Sequence, residues 1–209
     1  MNVVMAHGFL DTGRLFRSLS RRLESEGHVC HAPTLRPRDG RLGIPDLARK
    51  LASFLRERCD PAAPLALVGF SMGALVARYY LQSLGGAGTT RAFFSIAAPF
   101  QGTLNAYLYP GDGTRQMRPG SAFLRSLNAN SAGLGGLRVF TYRTPLDLMV
   151  PGRGSRIPGA RDLAVWCPLH TLLVSDPQVI NDIADRLAQF GVGSAGSVAP
   201  RMPSGPVVL

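Results

Sequence analysis

The sequence predicts an α/β fold class: a mostly parallel central sheet of about six strands with helices on both faces. Three observations carry this. Short apolar runs alternate with longer amphipathic stretches, the order that buries a parallel sheet between two helical layers. Residues 65–68 (Leu-Ala-Leu-Val) are apolar without a break, as a strand covered on both faces requires. The residues best suited to chemistry fall just past the ends of predicted strands, the edge at which ligands bind in such sheets.

A chain of 209 residues with 45% hydrophobic content suffices for one domain with a full core. The expected division is a domain over residues 1–190, with a cap-like insertion at 100–136, and a flexible tail over 191–209, where Gly, Ser and Pro dominate. No apolar run is long enough to span a bilayer, and the N-terminus lacks a basic segment followed by an apolar one, so a cytoplasmic location is expected. Cys30, Cys59 and Cys167 are far apart, an arrangement that suits a reducing compartment and structural roles.

The formal charge of +10 invites a nucleic-acid reading. The basic residues argue against it: all but Lys50 are arginines, and they are dispersed instead of gathered on one arm or helix. At most a weak contact with an anionic lipid surface is expected. No spacing of His, Cys and carboxylates suits a metal, and no cofactor is expected. His28 and His31, at the margin of one short strand, have no partner at a matching distance in sequence.

In chain order, residues 2–6 form a strand that ends in His7-Gly8-Phe9-Leu10. Residues 12–26 read as an amphipathic helix with Leu15, Phe16, Leu19 and Leu23 inward, ended by Gly27. Residues 28–32 form a strand closed by Pro33. A polar loop with Arg36, Arg38 and Arg41 borders the site entrance, and residues 44–59 form the second helix. After the strand at 65–68 and its helix, which Gly85-Gly86 ends, residues 91–97 form another strand. In 100–136 the periodicity is poor; residues 121–127 are the only clear helix. Phe100, Leu104, Tyr107, Leu108, Tyr109 and Met117 there suit a cap or acyl-chain wall. Residues 137–142 and 163–167 are the last strands, and Asp176-Pro177 caps the final helix.

The chemistry centres on Gly69-Phe70-Ser71-Met72-Gly73, a G-x-S-x-G elbow between an apolar strand and an apolar helix. A serine at the tip of so sharp a turn stands in a strained backbone with its hydroxyl clear of the sheet, and the flanking glycines let strand and helix close around it. Met72 begins the helix, so its N–H points at the reaction centre. The turn after the first strand directs the Phe9 N–H to the same place, and two such donors suit a tetrahedral oxyanion. Ser71, Asp147 and His170 follow strand ends in the order nucleophile, acid, histidine. A neutral imidazole can take the hydroxyl proton, and a buried carboxylate fixes its tautomer. His7 belongs to the oxyanion loop and shapes it by hydrogen bonding. Asp112, Asp162 and Asp176 are less well placed than Asp147.

With these residues assembled, the chain resembles the α/β-hydrolase superfamily, and within it the small bacterial lipases and esterases. The matching pieces are Ala6-His7-Gly8-Phe9, Gly69-Phe-Ser71-Met-Gly73, Ala98-Pro99-Phe-Gln-Gly102-Thr103, Met117-Arg-Pro-Gly-Ser121-Ala-Phe-Leu124, Leu146-Asp147-Leu-Met-Val-Pro151 and Leu169-His170-Thr-Leu-Leu. The resemblance implies Ser71 as nucleophile, Asp147 as acid, His170 as base, and Phe9 and Met72 as oxyanion donors. It implies an α/β-hydrolase fold in a minimal version that lacks the N-terminal antiparallel edge strands. Leu169 stands where many relatives have Gly, and no calcium site is evident. The implied activity is cleavage of small-molecule carboxylic acyl esters through an acyl-enzyme, with lipase, esterase, thioesterase and acyltransferase sharing the machinery. The alternative of another class is a non-catalytic binding protein of the same fold, against which the complete set of three side chains counts.

Overall fold

The structure, a computed structural model, describes residues 1–192. Its strands are β1 (Asn2–Ala6), β2 (Val29–His31), β3 (Leu65–Phe70), β4 (Thr90–Ile96), β5 (Arg138–Arg143) and β6 (Arg161–Ala164). They form one sheet in the order β2-β1-β3-β4-β5-β6, and every neighbouring pair is parallel. The helices are α1 (Arg17–Glu24), α2 (Ile44–Arg58), α3 (Met72–Ser83), α4 (Asp112–Gln116), α5 (Ala122–Ala129) and α6 (Pro177–Val192).

Strand side chains alternate between two separate cores, which explains why the central strands are apolar throughout. Val4, Ala6, Leu65, Leu67 and Phe93 face the core shared with α2, α3 and the insertion. Val3, Met5, Val68, Phe94 and Ile96 face the core under α1 and α6. Phe94 stacks on Phe140 across β4 and β5, with centroids 4.9 Å apart.

Four details depart from the sequence expectation. The predicted helix over 12–26 splits into a 3₁₀ turn, Gly13–Phe16, followed by α1. A Cβ at Gly13 would lie 1.8 Å from the Ala32 carbonyl oxygen, so the turn passes the end of β2 too closely for any side chain there. The last strand begins two residues earlier than expected and ends at Ala164. Asp162 holds it there, accepting from Thr141 Oγ1 (2.8 Å), Arg143 Nε (2.9 Å) and Arg156 Nε (3.1 Å). Beyond Ala164 the apolar residues leave the sheet; Val165 and Cys167 still plug the core while Trp166 is exposed.

The insertion also holds more structure than its sequence suggests: α4 and the 3₁₀ turns Leu104–Tyr107 and Ser131–Leu134 accompany α5. These turns are too short for a readable period. Finally, α6 runs to Val192 with its start capped by Asp176, whose carboxylate accepts from the Gln178 N–H at 2.8 Å. The tail expected over 191–209 lies, from residue 193 on, outside the described residues.

Candidate active site

The elbow between β3 and α3 is built as its glycines predict. Ser71 has φ +51° and ψ −120°, a strained conformation for a residue with a side chain. Its N–H donates to the Ile96 carbonyl at 2.8 Å, which ties the turn to β4. A Cβ at Gly69 would stand 2.4 Å from Ala74 Cα, and one at Gly73 only 2.0 Å from the Ala6 carbonyl oxygen. Both glycines are demanded by backbone contact. Leu10 (φ +61°) and Ala97 (φ +50°) are the other non-glycine residues with positive φ among the described residues. All three follow a strand at the carboxyl edge of the sheet, so backbone strain gathers where the site lies.

Ser71, His170 and Phe9 line one cavity of about 60 Å³ at that edge. The His170 imidazole packs on the ring of Phe70, the residue before the serine, with centroids 4.8 Å apart. His170 Nδ1 meets Asp147 Oδ2 at 2.6 Å, and both side chains are buried. Asp147 Oδ1 accepts from the Met149 and Val150 N–H groups, each at 2.9 Å. One carboxylate oxygen is thus fixed by its own loop while the other is aimed at the histidine. With Nδ1 donating to the carboxylate, Nε2 is free to accept a proton.

The turn after β1 is fixed by His7. The Leu35 N–H donates to His7 Nε2 at 2.9 Å, so the ring proton sits on Nδ1 and is donated to the Gly8 carbonyl at 2.8 Å. Burial holds the His7 pKa below its usual value, consistent with a neutral ring spent on backbone hydrogen bonds. The Phe9 and Met72 N–H groups have no acceptor among the described residues; Met72 opens α3, where amides lack an intrahelical partner. Arg38 braces the same loop through the Leu10 carbonyl at 2.8 Å. The polar loop lies against the insertion, Gly40 and Arg41 accepting backbone bonds from Gly113 and Asp112.

Of the six apolar residues expected to form a wall, Tyr109 and Met117 line the cavity. Phe100 is buried in the core, and Leu104, Tyr107 and Leu108 are exposed. Tyr109 packs on Phe9 at 5.0 Å between centroids, closing the insertion onto the β1 loop. Cys30 is no nucleophile: burial, aided by Glu24, pushes its thiol up to about 12. Among the described residues no three His, Cys or carboxylate groups gather as a metal site, and no helix is long and apolar enough to cross a membrane.

Four residues near the site were not singled out in the sequence. Met149 and Val150 orient Asp147 with their backbone, a role carrying no side-chain signal. Arg78 is buried within apolar α3; its guanidinium lies over the Phe100 ring at 4.7 Å and reaches Asn128 Oδ1 (2.7 Å) and the Leu127 carbonyl (3.2 Å). It fastens the insertion to the elbow helix, and a lone arginine on an apolar helix was the available signal. Asp11, in the loop after β1, has its carboxyl pKa raised by burial, against the pull of the nearby His7 and His170 imidazoles.

Residues 3–205 match the Alpha/beta hydrolase family. No curated protein matches the chain. Among solved structures, a metagenomic carboxyl esterase superposes with a TM-score of 0.74 at 16% identity, over 91% of this chain and 76% of that one. The mature lipase BlEst2 of Bacillus licheniformis superposes with a TM-score of 0.70 at 14% identity, over 89% of this chain and 91% of that one. A product of Listeria innocua gives a TM-score of 0.70 at 14% identity, over 91% and 94% of the two chains. At these identities the likeness is one of fold.

Proposed function

The chain belongs to the Alpha/beta hydrolase family, and from that premise we infer that it hydrolyses carboxylic esters through an acyl-enzyme on Ser71. The observation that carries this reading is the buried 2.6 Å contact between His170 Nδ1 and Asp147 Oδ2, made at the wall of the cavity that Ser71 also lines. An imidazole held by a buried carboxylate has its second nitrogen available as a base, and the strained serine lines the same cavity.

In the first half-reaction Ser71 Oγ attacks the ester carbonyl carbon while its proton passes to His170 Nε2. The negative charge that develops on the carbonyl oxygen is met by the Phe9 and Met72 N–H groups, whose contribution is of order 10²–10³ in rate per donor. The carbon–oxygen bond to the alcohol then breaks, and the leaving oxygen takes the proton from His170. In the second half-reaction water replaces the alcohol: His170 takes its proton, hydroxyl adds to the acyl carbon, and Ser71 recovers its hydrogen as the acid departs. Asp147 stays ionised throughout and stabilises the imidazolium. The lipase and carboxyl esterase among the superposed structures support this reading as relatives in fold.

The test is a rapid-mixing assay with p-nitrophenyl butanoate and intact-mass detection. The expected result is a burst of p-nitrophenol with a matching butanoyl adduct, both lost in Ser71→Ala. Steady turnover without any adduct in the wild type, unchanged in Ser71→Ala, contradicts the mechanism.

A further inference from the structure

We propose that the two halves of the substrate are recognised unequally, the cavity admitting only a short acyl group while the alcohol half is apolar and lies on an open surface. This rests on the ester-hydrolase reading and specifies its substrate. The cavity measures about 60 Å³. An apolar cavity of about 150 Å³ admits the six carbons of benzene, so one of about 60 Å³ has room for roughly two to three carbons, an acetyl or propanoyl group.

The wall is not a loose flap. Met117 is buried, its carbonyl accepts from the Thr103 N–H at 2.9 Å, and its N–H donates to Gly113 at 3.0 Å. Thr114, also at the wall, spends its hydroxyl on the Tyr109 and Gly111 carbonyls, both at 2.9 Å. Ala106 is buried on the same side. Backbone bonds therefore set the depth, and Met117 and Ala106 set the volume.

The other half of the ester meets a different environment. His170 must protonate the leaving oxygen, so the alcohol lies on the histidine's side of the site. Leu169 and Leu172 there are exposed, as is Leu146 beside Asp147, and Leu148 is 96% exposed. Residues 144–150 and 163–175 carry no charged side chain besides Asp147, which is committed to His170. Apart from the half-buried Asp11 near His170, such a surface gives nothing to a charged alcohol and favours an aliphatic one, each covered methylene adding roughly fourfold.

Two ester series separate these claims. Along p-nitrophenyl esters of acids from two to sixteen carbons, kcat/KM is expected to peak at about two to three carbons and to fall at least tenfold by about twelve. Met117→Ala should move that peak to longer acids, and Ala106→Val should move it toward acetate. Along alkyl butanoates from methyl to octyl, kcat/KM should rise, and Leu148→Ser with Leu169→Ser should flatten the rise without moving the acid optimum. A wild-type optimum at twelve or more carbons, or an optimum that neither wall variant moves, overturns the acyl claim. A rate that falls with alcohol length overturns the other. Complete inactivity on both series, with folded protein, removes the ester-hydrolase reading itself.

Discussion

Asp147→Asn should abolish most of the activity while leaving the fold in place, and the contacts of Asp147 say why. Oδ1 accepts from two backbone N–H groups and Oδ2 faces His170 Nδ1. An asparagine has one oxygen to serve both sides. Turning its amide nitrogen toward the Met149 and Val150 N–H groups would set donors against donors and forfeit two charge-assisted bonds, about 1.5–3 kcal/mol each. The asparagine oxygen therefore stays with the backbone and its NH₂ faces the imidazole. His170 Nδ1 must then accept, the ring proton moves to Nε2, and the nitrogen that should take the Ser71 proton already carries one. A wrong tautomer of this kind lowers kcat by about 10⁴-fold, equivalent to about 5 kcal/mol of barrier. The assay is steady-state hydrolysis of p-nitrophenyl butanoate, with near-ultraviolet circular dichroism and a urea melt on the same sample. A loss below tenfold in a folded variant would refute the role given to the carboxylate.

Two further substitutions test the scaffold around the site. Gly73→Ala puts a methyl 2.0 Å from the Ala6 carbonyl oxygen and 2.5 Å from that of His7; because both are backbone, β1 and α3 must separate, at a cost of about 3 kcal/mol or more, whereas Gly85→Ala, with open space but φ +79°, should cost only about 1–2 kcal/mol. Urea midpoints of the two variants check the ranking, and equal losses would contradict it. Asp11→Asn tests the half-buried carboxyl beside the site. Burial raises its folded-state pKa above the ordinary 3.8, so the protonated form's contribution is complete below that value and is lost as pH rises through the folded-state pKa. The variant should therefore be more stable than the parent at neutral pH, with the gap shrinking as pH falls toward the ordinary carboxyl range; a parent more stable at neutral pH would show that Asp11 has a partner.

How far the sequence led depended on the kind of force involved. The elbow was legible because backbone sterics dictate its glycines: Gly69 and Gly73 fail with any Cβ, whatever surrounds them. The central strands were legible because burial on both faces removes every polar residue from β3. The bounds of the last strand differ because hydrophobicity reports burial, not strand pairing: Cys167 is buried beyond the strand, while the charged pair Arg161-Asp162 lies within it. The insertion was only partly legible. Its wall is fixed by backbone bonds and by Arg78, whose cation–aromatic and carbonyl contacts come from distant parts of the chain. Among the site residues, Asp147 does two things at once. The turn chemistry that favours Asp after Thr144-Pro145 appears in the bonds to Met149 and Val150, and that same turn aims the second oxygen at His170.

The central claim is that one hydroxyl, on Ser71, is made nucleophilic by a histidine brought to it from the far end of the chain. Its most direct test is covalent labelling with a fluorophosphonate followed by peptide mass spectrometry. A single adduct is expected on the peptide containing Ser71, absent in Ser71→Ala and slowed at least a hundredfold in His170→Ala, about the size of a general-base contribution. An adduct that persists in Ser71→Ala, or one that forms at the wild-type rate without the imidazole, would contradict it.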